Sequence, residues 1–367
     1  MRPSRAGPSR GSGIVSANAV FSIFSDRTFL ASPATPHAVI LMPFWGTNSE
    51  PEGDPDNGRF DRYAELGSSF LRLSALADCD IGAFPQNWES AGEQAAELAT
   101  RFSAACRQAG KTPVVFHGAD STEPLPVEAV VFRASLLRSR RRPSEFALPA
   151  WSEDFLANHL GGELRVRSKQ PRPVVGFCGN TMSGPPARTF GRTLRRAVGV
   201  RDDPTRTLAG DHPRTLALRA LGRDSHLETS FVLRETFWAG AIDGPSSLLD
   251  ARDEYVRNML ESDYVLCARG NGNFSYRLYE TLCMGRIPVF IDTDCVLPLD
   301  FDIDWRDYCV WVDEAEIEQI GDQVLEFHES LDESEFEERQ RACRRLWETH
   351  ISPQGFFANF HLHFEPA

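Results

Sequence analysis

Short apolar runs alternate with longer amphipathic stretches along this chain. Residues 38–42 read as a strand, 60–73 as a helix, and 80–84 (DIGAF) as a short strand. A long helix is predicted from about 89 to 109. It is followed by a strand at 113–117 (PVVFH) that ends in the polar loop Gly118-Ala119-Asp120-Ser121, and by a further strand at 128–132. Alternation of this kind predicts a parallel sheet with helices on both faces.

The stretch 137–170, with Pro143, Pro149, Gly161-Gly162 and mixed charge, reads as a linker. A second alternating series opens at 173–178 (PVVGFC) with Gly179-Asn180 behind it. It continues through a basic helix at 187–198 bearing Arg188, Arg192, Arg195 and Arg196. Residues 201–228 are polar and show no assignable period. A helix at 247–261, a strand at 308–312 and helices from about 314 onward complete the pattern. The expectation is an α/β chain of two doubly wound, Rossmann-like domains facing a central cleft, with ligands at the carboxyl ends of the strands. The first dozen or so residues (1–13) form a disordered tail, 14–165 the first domain and 166–345 the second. Residues 346–367 make a C-terminal helix able to pack back on the first domain.

Composition narrows the function without naming it. With 367 residues, 41% hydrophobic and 25% charged, the chain is long enough for two well-buried cores. A net charge of −13 argues against a nucleic-acid binder, although Arg138, Arg140, Arg141 and Arg142 form a local basic run. The eight cysteines include no C-x-x-C pair and read as reduced core thiols in a cytoplasmic setting; the nine histidines show no zinc spacing. No run approaches ~18 consecutive apolar residues, so no membrane span is expected. Residues 14–24, broken by Ser16, Asn18 and Ser22, make a poor signal peptide.

Residues 262–299 carry the chemistry: SDYVLCARGNGNFSYRLYETLCMGRIPVFIDTDCVLPL. An apolar run ends in a basic, glycine-rich turn, a helix follows, and a second apolar run closes the unit. In the turn, Gly270 and Gly272 allow close backbone approach, and Asn271, Asn273 and Ser275 flank them; Asn273 or Ser275 can cap the helix. Free amides at that helix start suit a phosphate, and Arg269 and Arg277 add bidentate donors. Glu280, one turn beyond Arg277, can accept from a ribose diol, while Phe274, Leu278 and Leu282 form the core-facing stripe. The blander account is a capped helix with a surface Arg277–Glu280 pair. A dinucleotide fold is a rival, since Gly270, Gly272 and Ser275 approximate G-x-G-x-x-G and Asp292 closes the next strand. It leaves Arg269, Arg277 and Glu280 without a role. Asp292-Thr293-Asp294 could hold a metal on a diphosphate, but the arginines already supply the charge, and no metal is expected.

Residues 262–312 resemble the C-terminal region of exostosin-type glycosyltransferases, enzymes of GT-B architecture. The likeness rests on SDYVLCARGNG, SYRLYETLCMGRIPVFI, the following Leu297-Pro298-Leu299 and Asp304-Trp305. Phe177-Cys178-Gly179-Asn180 looks like the strand and turn opening the same domain, and the likeness extends more thinly over 60–345. It implies that the second domain binds a nucleotide sugar, probed first as a UDP-sugar, and that the sugar passes with inversion to a glycan acceptor on the first domain. Arg277 and Glu280 would then bind diphosphate and ribose, with Gly179 and Asn180 beside them. Unlike animal members, the chain is read as lacking a membrane anchor, a lumenal stem and a second transferase domain.

Inverting transfer needs a base for the acceptor hydroxyl and positive charge on the leaving diphosphate. Arg277 and Arg269 meet the second need. Candidate bases at the first domain's strand ends are Glu89, His117, Asp120, Glu153 and Asp154. Each has a structural alternative: a helix start for Glu89, core packing for His117, an Asx turn for Asp120. Trp88 and Trp151 could stack on sugars or fill the core. The basic run 133–142 could grip an anion or be solvated. Two alternatives of other classes stay open: an NAD(P)-dependent oxidoreductase using the Gly270 loop, and a non-catalytic donor-binding subunit of a partner transferase.

Overall fold

In the computed structural model two all-parallel sheets contain all the strands of the described residues, which are 20–50, 54, 56–182, 210–234 and 245–365. The first sheet comprises β1 (Phe21–Phe24), β2 (Leu71–Leu73), β3 (Ile81–Asn87), β4 (Thr112–His117), β5 (Val130–Arg133) and β6 (Glu145–Ala147), in the order β2-β1-β3-β4-β5-β6. The second comprises β7 (Val174–Asn180), β8 (Glu228–Arg234), β9 (Tyr264–Cys267), β10 (Ile287–Asp292) and β11 (Val310–Asp313), in the order β11-β10-β9-β7-β8. Counted from its own first strand, each sheet reverses direction between its first and third strands. Such a reversal opens a crevice at the carboxyl ends.

Both sheets are buried on both faces, which is why their strands read as continuous apolar runs. Along β9 and β10, Tyr264, Leu266, Ile287, Val289 and Ile291 enter one core, while Val265, Cys267 and Phe290 enter the other. The first sheet divides likewise: Ile81, Ala83, Val114 and Phe116 face one core, and Phe84, Val115 and Val131 pack on Phe102 and Cys106 of the Ala95–Gln108 helix. The doubly wound α/β expectation holds. The chain ends by returning to the first sheet. Phe356, Phe357 and Phe360 are buried among Ile23, Tyr63 and Phe132, with the Phe132 and Phe360 rings 4.8 Å apart.

Several predicted elements change. Residues 38–42 are not a strand: Val39–Leu41 is a 3-10 turn running into the Met42–Trp45 helix, whose Pro43 sits in its first turn, a place proline favours. The first strand is instead Phe21–Phe24, which lies inside the sheet between β2 and β3. The helix expected over 60–73 stops at Leu66, and its last residues become β2. Inside the expected linker lie β6 and the Phe155–His159 helix. Within the unassigned 201–228, Pro213–Arg223 is a helix with proline at its start. The predicted tail 1–13 and the basic helix 187–198 lie outside the described residues. None of the helices described is long and apolar enough to cross a membrane.

Candidate active site

The crevice of the second sheet lies between the ends of β7 and β9, which pair directly. Three arginines converge there. Arg277, in the first turn of the Tyr276–Cys283 helix, is buried and donates through Nη2 to the Cys178 carbonyl at 2.8 Å. Its guanidinium lies 4.2 Å from the centroid of Phe177, a cation–π contact. Arg214, from the Pro213–Arg223 helix, ties the two strand ends together by donating to Asn180 O at 3.0 Å, Ala268 O at 3.0 Å and Arg269 O at 2.9 Å. Among the described residues Arg269 itself reaches only the neighbouring Gly270 carbonyl, at 3.2 Å.

Among the described residues no carboxylate ion-pairs with any of these three, and the Nε atoms of Arg214 and Arg277 are buried without a hydrogen-bond partner. Burial, and then the nearby Arg277 charge, bring Arg214 down to about 9, so it is still protonated at neutral pH. A cation held down by burial and a like charge is one that a bound anion would stabilise. Burial also lowers His212, which accepts from Arg214 N through Nδ1 and so donates through Nε2 to Gly270 O at 3.2 Å.

Glycine 179 gives Arg277 its room. At φ +144° it occupies backbone space that L side chains rarely adopt, and a Cβ there would stand 2.8 Å from Arg277 Nη2. The loop beyond β9 is equally constrained. Asn271 is exposed, while Gly272, Asn273 and Ser275 are buried. Neither expected cap forms. Ser275 occupies the N-cap position without a side-chain bond; Leu278 N turns back to Ser275 O at 3.2 Å, and the amides of Tyr276 and Arg277 are left without a side-chain cap. Asn273 points the other way, taking a bond from Thr293 at 2.6 Å, while its backbone N–H donates to Ser135 Oγ of the first domain at 2.8 Å.

Glu280 does not form the expected surface pair with Arg277. It is buried, accepts from the Tyr255 hydroxyl, and stands 3.9 Å from Arg252. Burial raises its pKa, and Arg252 and the Tyr255 bond partly offset this. Arg252 in turn binds Asp56 at 2.9 Å and lies 3.4 Å from Glu153.

The opposing wall is the carboxyl end of the first sheet. His117 ends β4 and faces Glu89, in the turn after β3, with Nδ1 3.0 Å from Oε2; Gly118 N donates to Glu89 Oε1 at 3.0 Å. Asp120 lies against the donor-side loop, since a Cβ on Gly272 would stand 2.7 Å from its Oδ1. The buried Arg133 fixes the segment bearing Asp120 by donating to Ser121 O at 2.7 Å and Glu123 O at 2.9 Å, and it pairs with Glu145 at 3.0 Å.

Glu153 and Asp154 are not free to serve as bases. Glu153 is buried and accepts from Asn158 at 2.6 Å, with His159 Nε2 3.1 Å away. Asp154 caps the Phe155–His159 helix and takes two 2.9 Å bonds from Arg344; despite the opposing effect of burial, those bonds hold its pKa low. Trp151 is a core residue, donating to Ile351 O at 2.8 Å, and Trp88 packs at the edge of a core cluster, so neither is an open platform. Part of the basic run serves the domain contact: Arg138 grips Asp292 at 3.0 Å, Arg141 reaches Asp300 at 2.6 Å, and Ser139 binds Asp294, while Arg140 and Arg142 are exposed. The D-x-D is thereby engaged. Sequence reasoning missed His212, Arg214, Arg252 and Tyr255. The His212-Pro213 pair, a cap followed by proline at N1, was the available signal for the first two.

The unit from β8 to β11 matches a known family model. Residues 223–326 fit the Exostosin GT47 domain. In this region the chain is similar to an exostosin-type domain. Exostosin-1 of Drosophila melanogaster is 36% identical over 20% of this chain and 10% of its own length. A probable beta-1,4-xylosyltransferase of Arabidopsis thaliana is 36% identical over 23% and 21%, and a probable glucuronosyltransferase of Oryza sativa subsp. japonica 34% over 25% and 21%. The chain thus matches about a fifth or less of these relatives' length. The solved structure of TarM aligns over 74% of this chain and 58% of its own, at 10% identity and a TM-score of 0.31, too loosely to carry an argument. The matched region contains the Gly270 loop, Arg252, Tyr255, Arg277 and Glu280. The opposing wall, His212 and Arg214 fall outside it. Its sheet and the first one are both parallel and doubly wound.

Proposed function

We propose that this chain is an inverting glycosyltransferase that moves a sugar from a nucleoside diphosphate, a UDP-sugar foremost, to a hydroxyl of a glycan acceptor. The observation that carries the reading is the cluster of Arg214, Arg269 and Arg277, without a paired carboxylate among the described residues, beside an uncapped helix start in the sheet's crevice. Such an arrangement suits a diphosphate, and it suits a departing one better, because negative charge builds there as the bond to the sugar breaks. Glu280, fixed by Tyr255, is placed one turn further for the ribose. The relatives named as xylosyl- and glucuronosyltransferases favour UDP-xylose and UDP-glucuronate as the first donors to try.

In this reading arginines and helix amides carry the leaving-group charge, so no divalent ion is required. Asp292 and Asp294 are already engaged by Arg138 and Ser139. An oxidoreductase is disfavoured by the same contact, because the acid that should bind the adenosine ribose of a dinucleotide is spent on Arg138. Thermal shift with UDP, UDP-xylose, UDP-glucuronate, GDP-sugars and NAD tests the reading, since a ligand specific to the native state raises its stability. UDP should raise the melting temperature of the wild type and not of Arg277→Ala, and EDTA should leave turnover unchanged. A shift with NAD alone would overturn the proposal.

A further inference from the structure

Transfer to a hydroxyl releases a proton, and the donor wall has no open acceptor for it: Arg214, Arg269 and Arg277 are donors only, His212 is engaged at both ring nitrogens, and Glu280 is held by Tyr255 and Arg252. The first sheet offers a destination. We propose that His117 takes the acceptor's proton on Nε2, with Glu89 as the positioning residue behind it; the inference rests on the transfer reading.

Three observations carry it. The imidazole is held in one orientation: its side chain is 5% exposed, and Nδ1 sits 3.0 Å from Glu89 Oε2. The Glu89 carboxylate is itself fixed, because its other oxygen accepts from Gly118 N. A carboxylate facing Nδ1 places the proton there and leaves the Nε2 lone pair free, and Nε2 hydrogen-bonds to no described residue. The pair is also geared to the donor loop. His117 O accepts from Ala134 N at 3.0 Å, and the next residue, Ser135, accepts from Asn273 N at 2.8 Å. The base and the phosphate cradle are therefore two hydrogen bonds apart along a rigid strand end. Asp120 is the rival carboxylate. It is exposed and makes no hydrogen bond to a described residue, so only packing against the Gly272 loop restrains it. Preorganisation favours the histidine.

The step balances as a single displacement. The acceptor O–H proton passes to Nε2 as its oxygen bonds to the anomeric carbon. The bond from that carbon to the phosphate oxygen breaks, and its electron pair leaves on the diphosphate. The imidazolium formed is stabilised by Glu89 and returns its proton to water.

The test compares wild type with His117→Gln, Glu89→Gln, Glu89→Asp, Asp120→Asn and Arg277→Ala. Release of UDP from UDP-xylose and UDP-glucuronate is followed with β-1,4-xylo-oligosaccharides as acceptor, and UDP binding is followed by calorimetry. His117→Gln should bind UDP within about twofold of wild type while kcat falls by roughly 10²- to 10⁴-fold. Glu89→Gln should lose about tenfold or more in kcat at unchanged donor KM, with part recovered in Glu89→Asp. A His117→Gln protein that UDP still stabilises and that turns over at the wild-type rate overturns the assignment, as does Asp120→Asn abolishing kcat while His117→Gln spares it. Failure of the wild type to bind UDP overturns the transfer reading itself, which separates the two.

Discussion

Replacing Gly179 by alanine tests the donor site at its tightest point. Two costs follow, and they fall on different observables. At φ +144° a side chain strains the backbone by roughly 1–3 kcal/mol, which appears as lost stability. Separately, the new Cβ meets Arg277 Nη2 at 2.8 Å. That atom ends a flexible side chain, so the fold survives, but the guanidinium must leave the Cys178 carbonyl and the Phe177 face that position it. A hydrogen bond from a charged group contributes about 1.5–3 kcal/mol, so UDP binding should weaken by roughly 10- to 100-fold. Gly161→Ala is the control: Gly161 has φ +63° and nothing within 4 Å of an added Cβ. It should lose stability through strain alone and keep UDP affinity. Calorimetric titration with UDP and thermal melts of both variants read the two costs apart. A folded Gly179→Ala protein with wild-type UDP affinity would refute the placement of Arg277 at the diphosphate.

Tyr255→Phe removes the hydroxyl that holds Glu280 and should weaken UDP binding by about fivefold, the value of one hydrogen bond, with the fold intact; 2′-deoxy-UDP should show a smaller penalty if Glu280 reads the ribose. Acid should destabilise the fold through His363, which burial among Phe132, Phe146 and Phe360 pushes from 6.5 down to about 4. The unfolded chain binds this proton more readily, so the contribution is full above about pH 6.5, is lost as pH falls towards 4, and amounts to at most about 3 kcal/mol. Urea melts of His363→Phe should fall less steeply over that range than wild type. Some slope should remain, because burial also lowers His37, His328 and His350; equal slopes would refute the assignment.

Legibility followed contact range. β4, β7, β9 and β10 were plain in the sequence because burial on both faces makes a continuous apolar run. The Tyr276–Cys283 helix was plain because its stripe is local. β1 was missed: four residues, FSIF, mean little until β2 and β3 flank them. The bases were unranked for a related reason. Glu153 is held by its near neighbours Asn158 and His159, whereas Asp154 is disqualified by Arg344, 190 residues along the chain. No local pattern announces a partner at that distance. The caps failed differently: Asn273 and Ser275 have cap chemistry, but Thr293 and Ser135 claim Asn273 first.

That last failure bears on function. A capped helix start is a satisfied one, and a plain structural turn would be content with it. Here the side chain suited to capping is drawn into the domain contact, the next one makes no cap bond, and three arginines gather with no ion-paired acid among the described residues, Glu280 acting on Arg277 only from beyond ion-pair distance. The unfolded chain would hydrate all these groups, so burying them unpaired costs stability, and the loss persists only if something offsets it. Ion pairs between Arg138 and Asp292 and between Arg141 and Asp300 hold the two walls together around this deficit. A charge deficit maintained by structure spent elsewhere fits a site whose missing counter-ion arrives with the substrate. It also explains why glycines alone could not separate the cofactor classes: they grant approach, whereas the uncompensated arginines specify what approaches.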